Sequence, residues 1–104
     1  MIKLEKTAVG HDFLIGGKTV PLSFSDVEKL KTLMDTLYRD GFDPYVSEGS
    51  LEPWSVKPAG EYDHPWETRS RSVLYFGELK WHFTESEMEH IYEVLEHIYD
   101  ALPE

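Results

Sequence analysis

The chain has 104 residues, with 20 acids against 10 bases, a net charge of −10 and no cysteine. That length fits one domain, and 40% apolar with 13% aromatic content supplies a core, which excludes wholesale disorder. The missing cysteines exclude disulfides, thiolate metal sites and thiol catalysis, and no apolar run approaches the roughly 20 residues of a membrane span.

No apolar h-region follows Met1, so a cytoplasmic protein without a leader is expected. A total this acidic disfavours phosphate-rich partners, because nucleic acids and anionic membranes both need a basic face. Direct nucleic-acid binding and membrane contact are therefore not expected. A protein partner with a basic surface is.

Ile2 to Thr7 alternates apolar and polar residues and predicts an additional strand. Asp12–Ile15 and Lys18–Leu22 flank Gly16-Gly17, a two-residue hairpin signal of type II′, whose first position needs φ > 0. Phe13, Ile15, Val20 and Leu22 then share the inner face, and Leu14, Thr19 and Pro21 the outer one. Pro21 donates no backbone hydrogen bond and marks an edge strand. Ser25 and Glu28 have capping-box spacing at the start of a helix. Val27, Leu30, Met34, Leu37 and Tyr38 form its apolar stripe, and Gly41 stops it.

The segment from Phe42 to Ser70 carries Pro44, Pro53, Pro58 and Pro65 beside Tyr45, Trp54, Tyr62 and Trp66. A structureless loop of that length is unusual in a small domain. Pro44–Glu48 is the best candidate for a strand within it. Trp54 and Trp66 are expected to pack over the outer sheet face, covering Leu14, Val73 and Tyr75, or to form an exposed aromatic patch for a partner.

A second hairpin follows. Val73–Phe76 and Leu79–Phe83 flank Gly77-Glu78, which pairs Phe76 with Leu79, Leu74 with Trp81 and Ser72 with Phe83. Side chains opposite one another share a face, so Leu74, Phe76, Leu79, Trp81 and Phe83 point inward, and Val73, Tyr75, Lys80 and His82 outward. Thr84 and Glu87 form a second capping box. Met88, Ile91, Tyr92, Leu95, Ile98, Tyr99 and Leu102 form one broad stripe, and Pro103 ends the helix.

Shifted by 61 positions, the second hairpin and helix fall on the first. The expectation is an α+β, two-layer domain built from a tandem ββα repeat. Units 11–41 and 72–102 are joined by an aromatic, Pro-rich loop 42–71, with one antiparallel sheet of four to five strands and two helices on one face. Almost fully buried Val20, Trp81, Met34 and Leu95 are expected at matching sites.

Chemistry-bearing patterns are weak. Gly17-Lys18-Thr19 has the end of a phosphate-binding loop, but the required earlier glycine position is Asp12 and the segment reads as a hairpin. His90, Glu93 and His97 lie on one side of the second helix at i,i+3 and i,i+4 spacing, a weak metal-ligand set that a loop or second chain would have to complete. His64 and His82 could act as general bases, yet no nucleophile pairs with either.

The remaining feature is the acidic row Glu85, Glu89, Glu93, Glu96 and Asp100, which is either a solvated helix face or a charged docking face for a basic protein. From Glu85 onward the chain has seven acids and no Lys or Arg. Regularly spaced carboxylates on a rigid helix can compete for a surface built for phosphates. The sequence therefore favours a small, acidic, non-catalytic interaction protein without a cofactor. It would be an inhibitor or regulator, of DNA-mimic, anti-defence or immunity type, docking on a basic protein surface through this row and through Trp54 and Trp66. Self-association is compatible with it. The alternative is a small-molecule or metal-dependent activity at the aromatic loop and outer sheet face.

Overall fold

The computed structural model describes residues 2–43, 46–58 and 71–100, apart from the side chains of Arg71, Tyr99 and Asp100. The elements run β1 (Ile2–Lys6), β2 (Gly10–Ile15), β3 (Lys18–Ser23), α1 (Phe24–Arg39), β4 (Gly49–Leu51), β5 (Trp54–Pro58), β6 (Arg71–Phe76), β7 (Leu79–Thr84) and α2 (Glu85–Asp100). The described residues form an α+β domain of two helices and two antiparallel sheets.

The single sheet expected from the sequence is two. One has the order β1-β2-β3 and the other β4-β5-β6-β7. The first closes early because β3 carries Pro21 and lies at an edge, as its missing N–H requires. The sheets meet through side chains: the Phe13 ring lies 6.5 Å from Trp54 and 5.7 Å from Trp81, both edge-on. The helices touch each other, and each reaches both sheets, α1 against β2, β3, β4 and β5 and α2 against β1, β6 and β7.

Both hairpin registers follow from their two-residue turns. Phe13 faces Val20 and Ile15 faces Lys18 in the first. Phe76 faces Leu79, Leu74 faces Trp81 and Ser72 faces Phe83 in the second. Gly16 and Gly17 both have positive φ, 52° and 84°. That pattern belongs to a type I′ turn rather than the expected II′. In the second turn the first residue alone, Gly77, is positive, at 59°. At Gly10, opposite Ser23, an added Cβ would lie 1.9 Å from the Leu22 carbonyl oxygen, so the strand approach admits only glycine.

The inner faces and helix stripes converge on one core, which includes Phe13, Leu22, Val27, Leu30, Leu33, Met34, Leu37, Leu74, Phe83, Met88, Ile91 and Leu95. Met34 and Leu95 are fully buried, whereas Val20 and Trp81 only pack against the margin of the core. Leu79, at the hairpin tip, is 47% exposed despite facing inward.

The α1 cap sits two residues earlier than the Ser25/Glu28 spacing suggested. Ser23 Oγ accepts from the Asp26 N–H at 3.0 Å, and the Ser23 N–H donates to Asp26 Oδ2 at 3.1 Å. Thr84 and Glu87 make the same reciprocal pair at the start of α2, at 3.0 and 3.2 Å. Gly41, at φ 83°, ends α1 with its N–H on the Tyr38 carbonyl.

The segment after α1 differs most from expectation. Of the expected strand Pro44–Glu48, Pro44 and Tyr45 lie outside the described residues; Val46 is in a turn and Ser47 and Glu48 are not strand, with the Val46 and Ser47 N–H groups donating to the Asp43 carbonyl. Strand structure starts at Gly49, and β4 and β5 form a hairpin whose turn contains the cis Glu52-Pro53 bond. β5 pairs with β6 and sets Trp54 directly opposite Phe76. Because opposite residues share a face, Trp54 points inward. It is 1% exposed, not laid over the outer face. Its indole N–H donates to the Asp26 carbonyl at 2.8 Å, tying β5 to the first turn of α1. Val73, which points outward, is nonetheless buried, and Leu14 and Tyr75 are half-buried.

Candidate functional site

α2 is held by its stripe, with Met88, Ile91 and Leu95 buried. That orientation leaves Glu85, Glu89, Glu93 and Glu96 exposed in a row, spanning about 16 Å at 1.5 Å per residue. Among the described residues no ion pair involves any of the four. Asp100 ends the helix, and its side chain lies outside the described residues.

Beside the row runs the seam between the helices. The Tyr38 ring stacks on Tyr92 at 4.6 Å, nearly parallel, and on Phe42 at 5.1 Å. The Tyr92 hydroxyl donates to Asp35 Oδ1 at 2.8 Å, and Lys31 Nζ donates to the same oxygen at 2.6 Å while lying 5.4 Å above the Tyr92 ring. Burial pushes the Asp35 carboxyl up, but hydrogen bonds from Lys31 and Tyr92 and the charges of Lys31 and Arg39 outweigh it, so its pKa falls below the usual value. Tyr92 is raised by its bond to Asp35, then by burial and by Glu96.

Tyr38 reports the field of the acidic row. Burial, followed by the charges of Glu89, Glu85 and Glu93, pushes its hydroxyl up to about 12. That hydroxyl is buried and has no hydrogen-bond partner among the described residues. The three carboxylates thus act together on one side of the seam. A cation arriving there meets several carboxylates, as Lys31 meets Asp35 while lying over the face of the Tyr92 ring. Arg or Lys of a partner is the chemistry this suits.

The other sequence candidates separate. Trp54 is in the core and presents no surface to a partner. Trp66 and His64 lie outside the described residues, as do Leu102 and Pro103. His90, Glu93 and His97 are exposed on α2, and among the described residues no group of three or more His, Asp or Glu side chains is placed to hold a metal. His82 is exposed on the outer face of the four-stranded sheet, opposite Val73. A depression of about 340 Å³ lies between the end of α1 and β4, and its lining includes the acids Asp40 and Glu48 but no base. The Thr32 and Thr36 hydroxyls there donate to α1 carbonyls.

Sequence reasoning missed the Lys31–Asp35–Tyr92 cluster. Its signal is the i,i+4 spacing of Lys31 and Asp35, whereas periodicity places Tyr92 in the core stripe and shows nothing of its hydroxyl's partner. No protein-family model, curated protein or solved structure matches the chain. Among the described residues no helix is long and apolar enough to cross a membrane.

Proposed function

We propose that the protein is a non-catalytic interaction module, an inhibitor or regulator that docks the acidic face of α2 onto a basic surface of a protein partner. The observation that carries this reading is the exposed row Glu85, Glu89, Glu93 and Glu96, un-neutralised by ion pairs among the described residues. Four carboxylates on a capped, well-packed helix form a rigid array. Such an array can steer association with a cationic surface and compete with phosphates for it. DNA-mimic, anti-defence and immunity roles are all of this kind.

The chain supports a further reading of its architecture. The bounds of β2, β3 and α1 coincide with those of β6, β7 and α2 when shifted by 61 positions. We read the two ββα segments as copies of one unit, of which the second has specialised its helix for charge. The alternative is a small-molecule or metal-dependent activity at the aromatic loop and outer sheet face; among the described residues no group of three or more His, Asp or Glu is placed to hold a metal there.

The test is titration of an Arg-rich peptide onto wild type and onto the Glu89→Lys, Glu93→Lys, Glu96→Lys variant at low and high salt. Docking through α2 requires the variant to bind at least tenfold more weakly at low salt, with the difference collapsing at high salt. Equal affinity at both salt levels would remove the face from consideration.

A further inference from the structure

The outer face of the β4–β7 sheet has the opposite character to α2. Its strands present Ser50, Ser55, Lys57, Tyr75, Lys80 and Thr84, with Val73 buried between them, and no acid among the described side chains. Lys57 and Lys80 are exposed, and Lys57 Nζ lies 5.9 Å above the Tyr75 ring. An open depression of about 780 Å³ continues this surface past Ser55 and Lys57 to Lys29 of α1. The nearby acids are at its ends: Glu52, in the β4–β5 turn, lines the depression itself, Glu78 is in the β6–β7 turn, and Glu87 is bound to Thr84 in the α2 cap. Lys57 and Lys80 give this face a local excess of positive charge among the described side chains, although the whole chain carries −10.

We propose that this sheet face is a docking site whose occupant is the acidic α2 face of a second copy of the chain. The occupant side rests on the reading of α2 given above. Charge complementarity and spacing both support the pairing. Lys57 and Lys80 stand two strands and two residues apart, about 12 Å at usual strand spacing and rise. Glu85 and Glu93 stand eight residues apart on α2, also about 12 Å. The Lys57–Tyr75 pair adds a cation already held over an aromatic ring. Because the two surfaces are different patches of one chain, the contact is head-to-tail and leaves a free site at each end of an oligomer.

The experiment is sedimentation of the full chain over a range of concentrations at low salt and at about 0.5 M salt. Wild type should grow in mass with concentration at low salt and return to monomer at high salt. The Lys57→Gln, Lys80→Gln variant loses the sheet site, and the Glu85→Gln, Glu93→Gln variant loses the helix site. Each alone should remain monomeric, and their equimolar mixture should form a 1:1 dimer that does not grow. Melting curves matching wild type keep misfolding out of the comparison.

Wild type that stays monomeric throughout overturns the proposal. So does association that survives the lysine changes, or a single-stranded oligonucleotide binding through Lys57 and Lys80 while the chain stays monomeric. If self-association fails but the Arg-rich peptide still binds α2, only this inference falls. If both fail, the reading of α2 falls with it.

Discussion

The segments β2–β3–α1 and β6–β7–α2 bury corresponding residues and expose different charge. Phe13, Leu22, Val27, Leu30 and Met34 lie in the core in one, and Leu74, Phe83, Met88, Ile91 and Leu95 in the other. Outside the stripe, α1 carries three acids and three bases, while α2 carries six acids and no Lys or Arg. In α1 a carboxylate is answered one turn away, Asp35 by Lys31. Among the described residues α2 has no such pair. Burial dictates the stripe and Glu87 serves the helix cap, while Glu85, Glu89, Glu93 and Glu96 are exposed and meet no ion-pair partner among the described residues.

The comparison breaks first at the core. If the two segments carry equal structural weight, Met34→Ala and Leu95→Ala should each cost about 2–5 kcal/mol, because both side chains are fully buried. Urea unfolding of the two variants measures this. A small cost at one site only would show that the segments support the fold unequally.

The caps provide a sharper, smaller test. Ser23→Ala and Thr84→Ala should each destabilise by about 0.5–2 kcal/mol, since each removes one half of a reciprocal pair. Ser25→Ala should change the melting midpoint little, because the cap lies at Ser23. A larger loss at Ser25 would move the helix start.

These caps also show how much of the molecule was legible in the sequence. Two-residue glycine turns determined both hairpin registers, since only one pairing closes such a turn, and the stripes of α1 and α2 followed from period 3.6. The β4–β5 hairpin was hidden for a physical reason. Gly49–Leu51 is too short to show alternation, and Pro53 stands where a strand reading would stop. The division into two sheets was equally invisible, because which edges pair is a long-range matter with no local signature. The acidic row was legible because a capped helix has only one way to turn its stripe. The seam cluster was half legible: Asp35 and Lys31 share a helix, whereas Tyr92 arrives from the other end of the chain.

Acid should weaken the first segment in two separate windows. Burial, then the charge of Lys6, pushes the His11 imidazole below its ordinary 6.5. The unfolded chain then binds the extra proton more readily, and stability falls as pH drops below 6.5. Asp35 is lowered, so its contribution is complete above its ordinary 3.8 and is lost only as pH falls through the lower folded value. His11→Gln should flatten melting temperature between neutral pH and about pH 5, while Asp35→Asn should alter only the more acidic limb. A His11→Gln profile parallel to wild type would contradict the first assignment.

The smallest effect on stability is expected at the acidic face, and it carries the most functional information. Like charges spaced three and four residues apart repel by a few tenths of a kcal/mol per pair, so Glu85→Lys, Glu89→Lys and Glu93→Lys together should leave the fold intact or slightly firmer. Burial first, and then these same three residues, push Tyr38 up to about 12. Reversing them replaces repulsion of the phenolate by attraction, and Tyr38 should titrate lower, while Tyr92, held chiefly by Asp35, should move less. Ultraviolet titration of tyrosinate in the variant and in a Tyr38→Phe control separates the two rings. A shift confined to Tyr38, with melting unchanged, would establish that the three carboxylates project one common field from α2. That field is what a cationic partner would meet on approach. An unmoved Tyr38 would mean that each carboxylate is screened alone, leaving the row too weak to steer association.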